Sequence, residues 1–104
     1  MSQLTRGMSR RVMYVENKQG LIDGAEARIG WVTFSKTGRT VYYRGRSLAM
    51  GSGISGNFLD VETREEYWVS GVKKSGSNAH PAQRGVKIEI DADAVEEYRA
   101  IRGQ

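Results

Sequence analysis

Hydrophobic and polar positions along the chain fall into short β-prone runs separated by turn residues. RVMYVE places Val12, Tyr14 and Val15 in one such run, and the ENKQG that follows supplies turn-forming Asn and Gly, so Arg11 to Glu16 is predicted as a strand. The clearest signal is ARIGWVTFSKTGRTVYYRGRSL, two β-prone runs around a glycine-containing turn, which predicts a hairpin. Its strands are expected at Ala27 to Ser35 and Arg39 to Arg46. A two-residue loop would force Thr37 to a positive φ, so the expected loop is Lys36, Thr37 and Gly38 with Gly38 left-handed. Ser35 then faces Arg39, with Val32, Phe34, Thr40, Tyr42 and Arg44 on one face and Ile29, Trp31, Thr33, Val41 and Tyr43 on the other. A slip of one residue joins Val32 and Phe34 with Val41 and Tyr43 and sends Trp31, Tyr42, Arg44 and Arg46 to the opposite side. Both registers leave aromatics on both faces, and the sequence does not choose between them.

SLAMGSGISGN, residues 47 to 57, is expected to be a flexible connection. Phe58 to Val61 forms a candidate short strand, ETREE a polar turn, and EYWVSGVKK a strand carrying Tyr67, Trp68, Val69 and Val72 and closed by Lys73 and Lys74. SGSNAHPAQRG, residues 75 to 85, contains the sole proline and reads as an exposed loop. VKIEID then alternates, with Val86, Ile88 and Ile90 on one face and Lys87, Glu89 and Asp91 on the other, as a half-buried strand does. Asp91 is a suitable N-cap for a helix from Ala92, with Ile90 and Val95 placed as a hydrophobic staple. Val95, Tyr98 and Ile101 supply an apolar stripe, Asp93 suits the helix start, Arg99 and Arg102 suit its end, and Gly103 stops it. Five or six strands and one C-terminal helix, without βαβ alternation, predict a mainly β, β-rich α+β fold. The two candidate forms are a small twisted antiparallel sheet and an SH3-like, partly open barrel.

Length changes this picture little: 104 residues suffice for one core, with residues 1 to 9 as a mobile lead-in and residues 10 to 104 as a single domain. Sixteen Lys and Arg against twelve Asp and Glu leave a net charge of +4, which favours polyanions at low salt, although acidic residues are interspersed and solubility alone accounts for such a balance. With no cysteine, disulfide-linked partners, thiolate metal sites and thiol nucleophiles are excluded. No apolar stretch reaches the roughly 20 residues of a membrane span, and the basic N-terminus lacks a following apolar region, so a cytoplasmic protein away from the membrane is expected.

Candidate chemistry is sparse. Gly51, Gly53 and Gly56 match the spacing of a dinucleotide-binding fingerprint, but NFLDVET follows them where a helix is required, so a loop is the better account. His80 has no serine, carboxylate or second histidine at a recognised spacing, and reads as a surface loop residue rather than a general base or metal ligand. Glu65 and Glu66, like Glu96 and Glu97, are adjacent, so their side chains diverge rather than converge on one substrate atom. Asp60 and Glu62 can share a strand face, but nothing else marks them. No enzyme, cofactor or metal centre is expected.

Basic and aromatic residues do concentrate around the hairpin: Arg28, Trp31, Lys36, Arg39, Tyr42, Tyr43, Arg44 and Arg46, with Lys73 and Lys74 further along. Exposed aromatics stack on unpaired bases while neighbouring cations neutralise phosphates, which suits nucleic acid. The same residue types dominate protein interfaces, and an open strand edge accepts a peptide, so a protein partner is the alternative. The plainer account makes Trp31, Phe34, Val41 and Tyr43 core and the arginines guards of strand edges.

VTFSKTGRTVYYRGR, EYWVSGVKK with the later His80, and IDADAVEEYRAIR together resemble a family of small uncharacterised bacterial proteins, over most of residues 11 to 102. The resemblance implies a compact stand-alone bacterial domain and carries no activity, cofactor or partner with it.

Overall fold

The computed structural model describes residues 8–51, 56–74 and 86–103. The elements are β1 (Ser9–Asn17), β2 (Ala27–Phe34), β3 (Thr40–Tyr43), β4 (Arg46–Met50), β5 (Phe58–Asp60), β6 (Glu66–Gly71), β7 (Ile88–Ile90), a 3-10 turn (Ala92–Ala94) and α1 (Val95–Arg102). β1 is long enough to serve two neighbours. It pairs antiparallel with β2 from Ser9↔Phe34 to Glu16↔Ala27, and its second half also pairs with β6 from Met13↔Gly71 to Asn17↔Tyr67. The order β1-β6-β5-β4-β3-β2 therefore closes on itself as a six-stranded antiparallel barrel of the SH3-like kind. β7 is an addition outside the barrel. It lies parallel to β2, from Ala27↔Ile88 to Ile29↔Ile90, an addition to the antiparallel barrel.

Six consecutive residues of β1, Val12 to Asn17, are buried. Met13 and Val15 point into the barrel with Val32, Val41, Tyr43, Leu48, Phe58, Tyr67 and Val69, and Ile22 joins them from the β1–β2 connection. Val12 and Tyr14 point the other way, into a second cluster with Ala27, Ile29 and Ala94, which Tyr98 and Ile101 of α1 cover. Two covered faces explain why RVMYVE shows no clean alternation. Each fully buried Val, Ile or Leu contributes about 1.5–3 kcal/mol. The buried Glu16 carboxylate is satisfied by the Tyr14 hydroxyl and by Lys18 Nζ at 3.2 Å.

The β2–β3 hairpin takes the slipped register. Phe34 pairs with Val41 and Thr33 with Tyr42, so Ser35 faces Thr40 and not Arg39. Four residues fill the loop instead of three. The Ser35 N–H donates to Thr40 O at 2.8 Å, the Gly38 N–H to Ser35 O at 2.9 Å, and the Thr40 N–H to Ser35 Oγ at 3.1 Å. This register brings Val41 and Tyr43 into the barrel beside Val32, and it leaves Trp31 and Tyr42 outside. Gly38 is left-handed as expected, at φ 77°.

β3 stops at Tyr43, three residues short of the expected end. Tyr43 pairs with Arg46 across a two-residue turn in which Arg44 and Gly45 both have positive φ, 47° and 79°, the geometry that matches strand twist in tight hairpins. Ser47 to Met50, expected within a flexible connection, belong to β4. Gly53 in that stretch, and residues 75–85 with His80 and Pro81, lie outside the described residues. On the far side, Asn57 continues the β6 ladder with its side chain, donating Nδ2 to Val69 O and accepting the Val69 N–H, both at 2.8 Å.

The helix starts as a 3-10 turn at Ala92 and becomes α-helical at Val95. Gly103 ends it at φ 78°, its N–H donating to the carbonyls of Arg99 and Ala100. Asp91 makes no side-chain cap bond, which corrects its expected role; its carboxylate faces the barrel instead. Among the described residues no helix is long and apolar enough to cross a membrane.

Candidate functional site

β2 shares one edge between two strands. Its first residues pair with β7 and its last two with β3, and Gly30 lies at the break between them. A Cβ on Gly30 would fall 2.1 Å from Asp91 Oδ2 and 2.8 Å from Tyr43 Oη, so these polar atoms fill the space that any other side chain would need. Tyr43 donates its hydroxyl to Asp91 Oδ2 at 2.5 Å, while Arg28 Nη1 and Arg44 Nη1 reach Asp91 Oδ1 at 3.1 and 3.3 Å. Arg28 also donates to the carbonyls of Ile22 and Asp23, at 2.8 and 2.7 Å. Asp23 accepts Arg44 Nε at 2.6 Å and Arg46 Nη2 at 3.0 Å.

Three arginines thus meet two carboxylates at this barrel mouth. The hydrogen bonds from Arg46 first and Arg44 second hold the Asp23 carboxyl down at about 2. Burial, and then the bond to Asp91, push the Tyr43 hydroxyl far above the usual phenol range. The same contacts restrain Arg44 in a left-handed conformation that costs an ordinary side chain about 1 kcal/mol or more. The arrangement is a closed ionic lock that ties β7 to the β3–β4 turn and the β1–β2 connection.

The expected binding surface therefore divides. Arg28, Arg44 and Arg46 belong to the lock. Lys36 and Arg39 stand exposed on the β2–β3 turn, and Tyr42, 40% exposed, lies opposite Thr33 on the outer face of the barrel. Trp31 lies on the outer face too, toward α1. Its Nε1 donates to Asp93 O at 2.9 Å, and the Arg10 guanidinium sits over its ring, 4.3 Å from the centroid. Lys73 and Lys74 follow β6, where the Lys73 carbonyl accepts Arg102 Nη1 at 3.1 Å.

Between α1 and strands β1, β2 and β6 runs a groove of about 440 Å³. Trp31, Val72 and Ile101 are part of its apolar lining, and its charged lining is Arg10, Arg11, Lys74 and Glu97. Among the described residues no carboxylate comes within ion-pair distance of those three cations. The groove brings together Trp31 and Lys74 from the expected set and adds Arg10 and Arg11, which sequence reasoning placed at the start of the ordered chain without giving them a role. Their signal was the Arg10-Arg11 pair at the start of the strand predicted from Arg11. Three cations lining one groove can neutralise phosphates, and a guanidinium layered on an indole, as Arg10 is on Trp31, can offer a flat stacking surface. Among the described residues no three His, Cys, Asp or Glu side chains gather as a metal site.

Comparison with known proteins leaves this geometry as the guide to function: no family model, no curated protein and no solved structure matches the chain.

Proposed function

We propose that the chain is a non-enzymatic binding module for single-stranded nucleic acid, and that the groove under α1 is its binding site. The Arg10 guanidinium layered over Trp31, in a groove lined by three cations and one carboxylate, is the observation that supports this reading. An unpaired base stacks on an indole or a guanidinium plane regardless of its sequence, and duplex DNA keeps its bases from such a platform. Arg11 and Lys74 neutralise phosphates on either side of the stacked base.

Titrating the two tryptophans with short single-stranded and duplex oligonucleotides, at low and near-physiological salt, tests it. Saturable quenching that prefers single strands is expected. With three cations engaged, log K against log salt should fall with a slope of about −2. Arg10→Ala and Lys74→Ala should each flatten that slope, while Arg46→Ala leaves it unchanged. No saturable binding at low salt would sink the proposal. A protein partner is the second reading, favoured by exposed Tyr42 and by β7, which among the described residues pairs only with β2.

A further inference from the structure

Among the described residues β7 is the one strand that barrel closure does not protect. The other six each have neighbours around the ring, but β7 ends the strand order and, among the described residues, pairs only with β2. Its backbone polarity is set by a single bond: the Asp91 N–H donates to Ile29 O at 2.8 Å. Main-chain groups alternate sides along a strand, so Asp91 and Glu89 address β2, and the N–H and C=O groups of Ile88 and Ile90 point to the outer edge. Such an edge is a template for another strand.

The residues on that edge suggest which strand. Val86-Lys87-Ile88-Glu89-Ile90 is self-complementary about its centre. Turned end for end, it sets Lys87 against Glu89, Val86 against Ile90, and Ile88 against itself. Lys87 and Glu89 are exposed, and Ile90 is an exposed large apolar side chain at 39%. We infer that a second copy of this chain docks on β7, the two strands pairing antiparallel about a two-fold axis at Ile88, with Lys87 of each copy opposite Glu89 of the other.

Register and symmetry support one another. With Ile88 and Ile90 addressing the outer edge, Ile88 opposite Ile88 is a hydrogen-bonded pair, and each Ile90 bonds to the Val86 of the other copy. An antiparallel shift of one residue removes both charge pairs and turns the apolar set to the opposite face. A two-fold axis repeats each favourable contact, so one Lys-Glu match in the sequence becomes two in the dimer. A contact built on so short a strand is small, which implies a weak, concentration-dependent dimer rather than an obligate one. The inference is independent of the groove.

Sedimentation equilibrium of the intact chain from about 1 µM to 1 mM reads it out, a span that covers weak association. A monomer–dimer equilibrium is expected. Lys87→Glu alone and Glu89→Lys alone should each weaken it roughly tenfold, because each sets two like-charge pairs face to face. Mixing these two variants in equal amounts should restore association as a heterodimer, and the double variant K87E/E89K should dimerise like the parent. Circular dichroism checks that each variant is folded, and the mixture keeps the test valid where one charge reversal alters stability. A parent that stays monomeric at 1 mM, a dimer indifferent to the single reversals, or a mixture that fails to associate would each overturn the inference.

Discussion

At the barrel mouth Arg28, Arg44 and Arg46 meet Asp23 and Asp91 at 2.6 to 3.3 Å, whereas in the groove Arg10, Arg11 and Lys74 share a lining with Glu97 alone. Both regions pair arginine with an aromatic side chain, yet the chemistry differs. Tyr43 enters its cluster as a hydrogen-bond donor inside the barrel, and Trp31 enters its own as a flat ring beneath a guanidinium. In the first, cationic charge is consumed by the fold. In the second, no carboxylate among the described residues forms an ion pair with the three cations, and Arg10 is layered on Trp31. Arginine counts therefore say little about binding until each guanidinium's partner is known.

The strongest way to break this contrast is to wedge the lock apart. Gly30→Ala puts a methyl group where Asp91 Oδ2 and Tyr43 Oη now lie, separating a buried carboxylate from its partners. A loss of about 3 kcal/mol is expected, the usual cost of disrupting a buried, hydrogen-bonded charge. Urea unfolding measures it; a variant within 0.5 kcal/mol of the parent, a margin typical of neutral surface changes, would show that the lock contributes nothing to the fold.

On the groove side, Trp31→Leu keeps an apolar side chain next to α1 but removes the indole on which Arg10 is layered, together with its Nε1 bond to Asp93 O. Affinity for a single-stranded oligonucleotide, read by fluorescence anisotropy of a labelled strand, should drop by about 2 kcal/mol, within the range of one base–aromatic stack. Arg44→Ala, measured in parallel, should leave affinity within a factor of two. Equal losses in the two variants would erase the distinction between the regions.

Tyr43→Phe sharpens the contrast from inside the lock. It removes a hydroxyl from a buried carboxylate that keeps its two arginines, so a destabilisation of about 1–2 kcal/mol is expected. The pH dependence carries the sign. The phenol's pKa is raised in the folded state, so its contribution is present below the ordinary phenol range and is lost as pH rises beyond it. The parent should therefore lose stability at alkaline pH more steeply than Tyr43→Phe does.

How far the sequence led differs between these regions for physical reasons. β-Branched and aromatic runs located β1, β2, β6 and β7, and the 98/101 stripe with Gly103 located α1, because burial writes local patterns. The hairpin register stayed open because both alternatives align apolar residues, and the deciding fact, which faces close the barrel, is long-range. Arg44 hid a turn, since arginine seldom takes a positive φ without outside support, and here Asp23 supplies it from 21 positions away. Once that turn was missed, β4 was hidden too. Asp91 carried a true local signal for an N-cap, and a tertiary demand from Tyr43, Arg28 and Arg44 outweighed it. The groove needs β1, β2, β6 and α1 together, and no local pattern encodes it.

The mildest test concerns the solvent side of the lock, where Asp23 is 44% exposed. Its carboxyl is held at about 2 against an ordinary 3.8, so the stabilisation from its ionised form is complete above the ordinary value and is lost as pH falls through about 2. Arg44 makes the shorter contact, at 2.6 Å, but Arg46 engages both carboxylate oxygens, Nη2 to Oδ1 at 3.0 Å and Nη1 to Oδ2 at 3.4 Å. Two-point contact is consistent with Arg46 being the larger cause of the shift. Arg46→Ala should consequently move the Asp23 titration midpoint, followed by carboxyl NMR, further toward 3.8 than Arg44→Ala does. Exposed pairs contribute little to stability, so unfolding midpoints near neutral pH should hardly change while the titration shifts. A midpoint that responds more to Arg44→Ala would make the β3–β4 turn residue, rather than the β4 strand residue, the main clamp on Asp23.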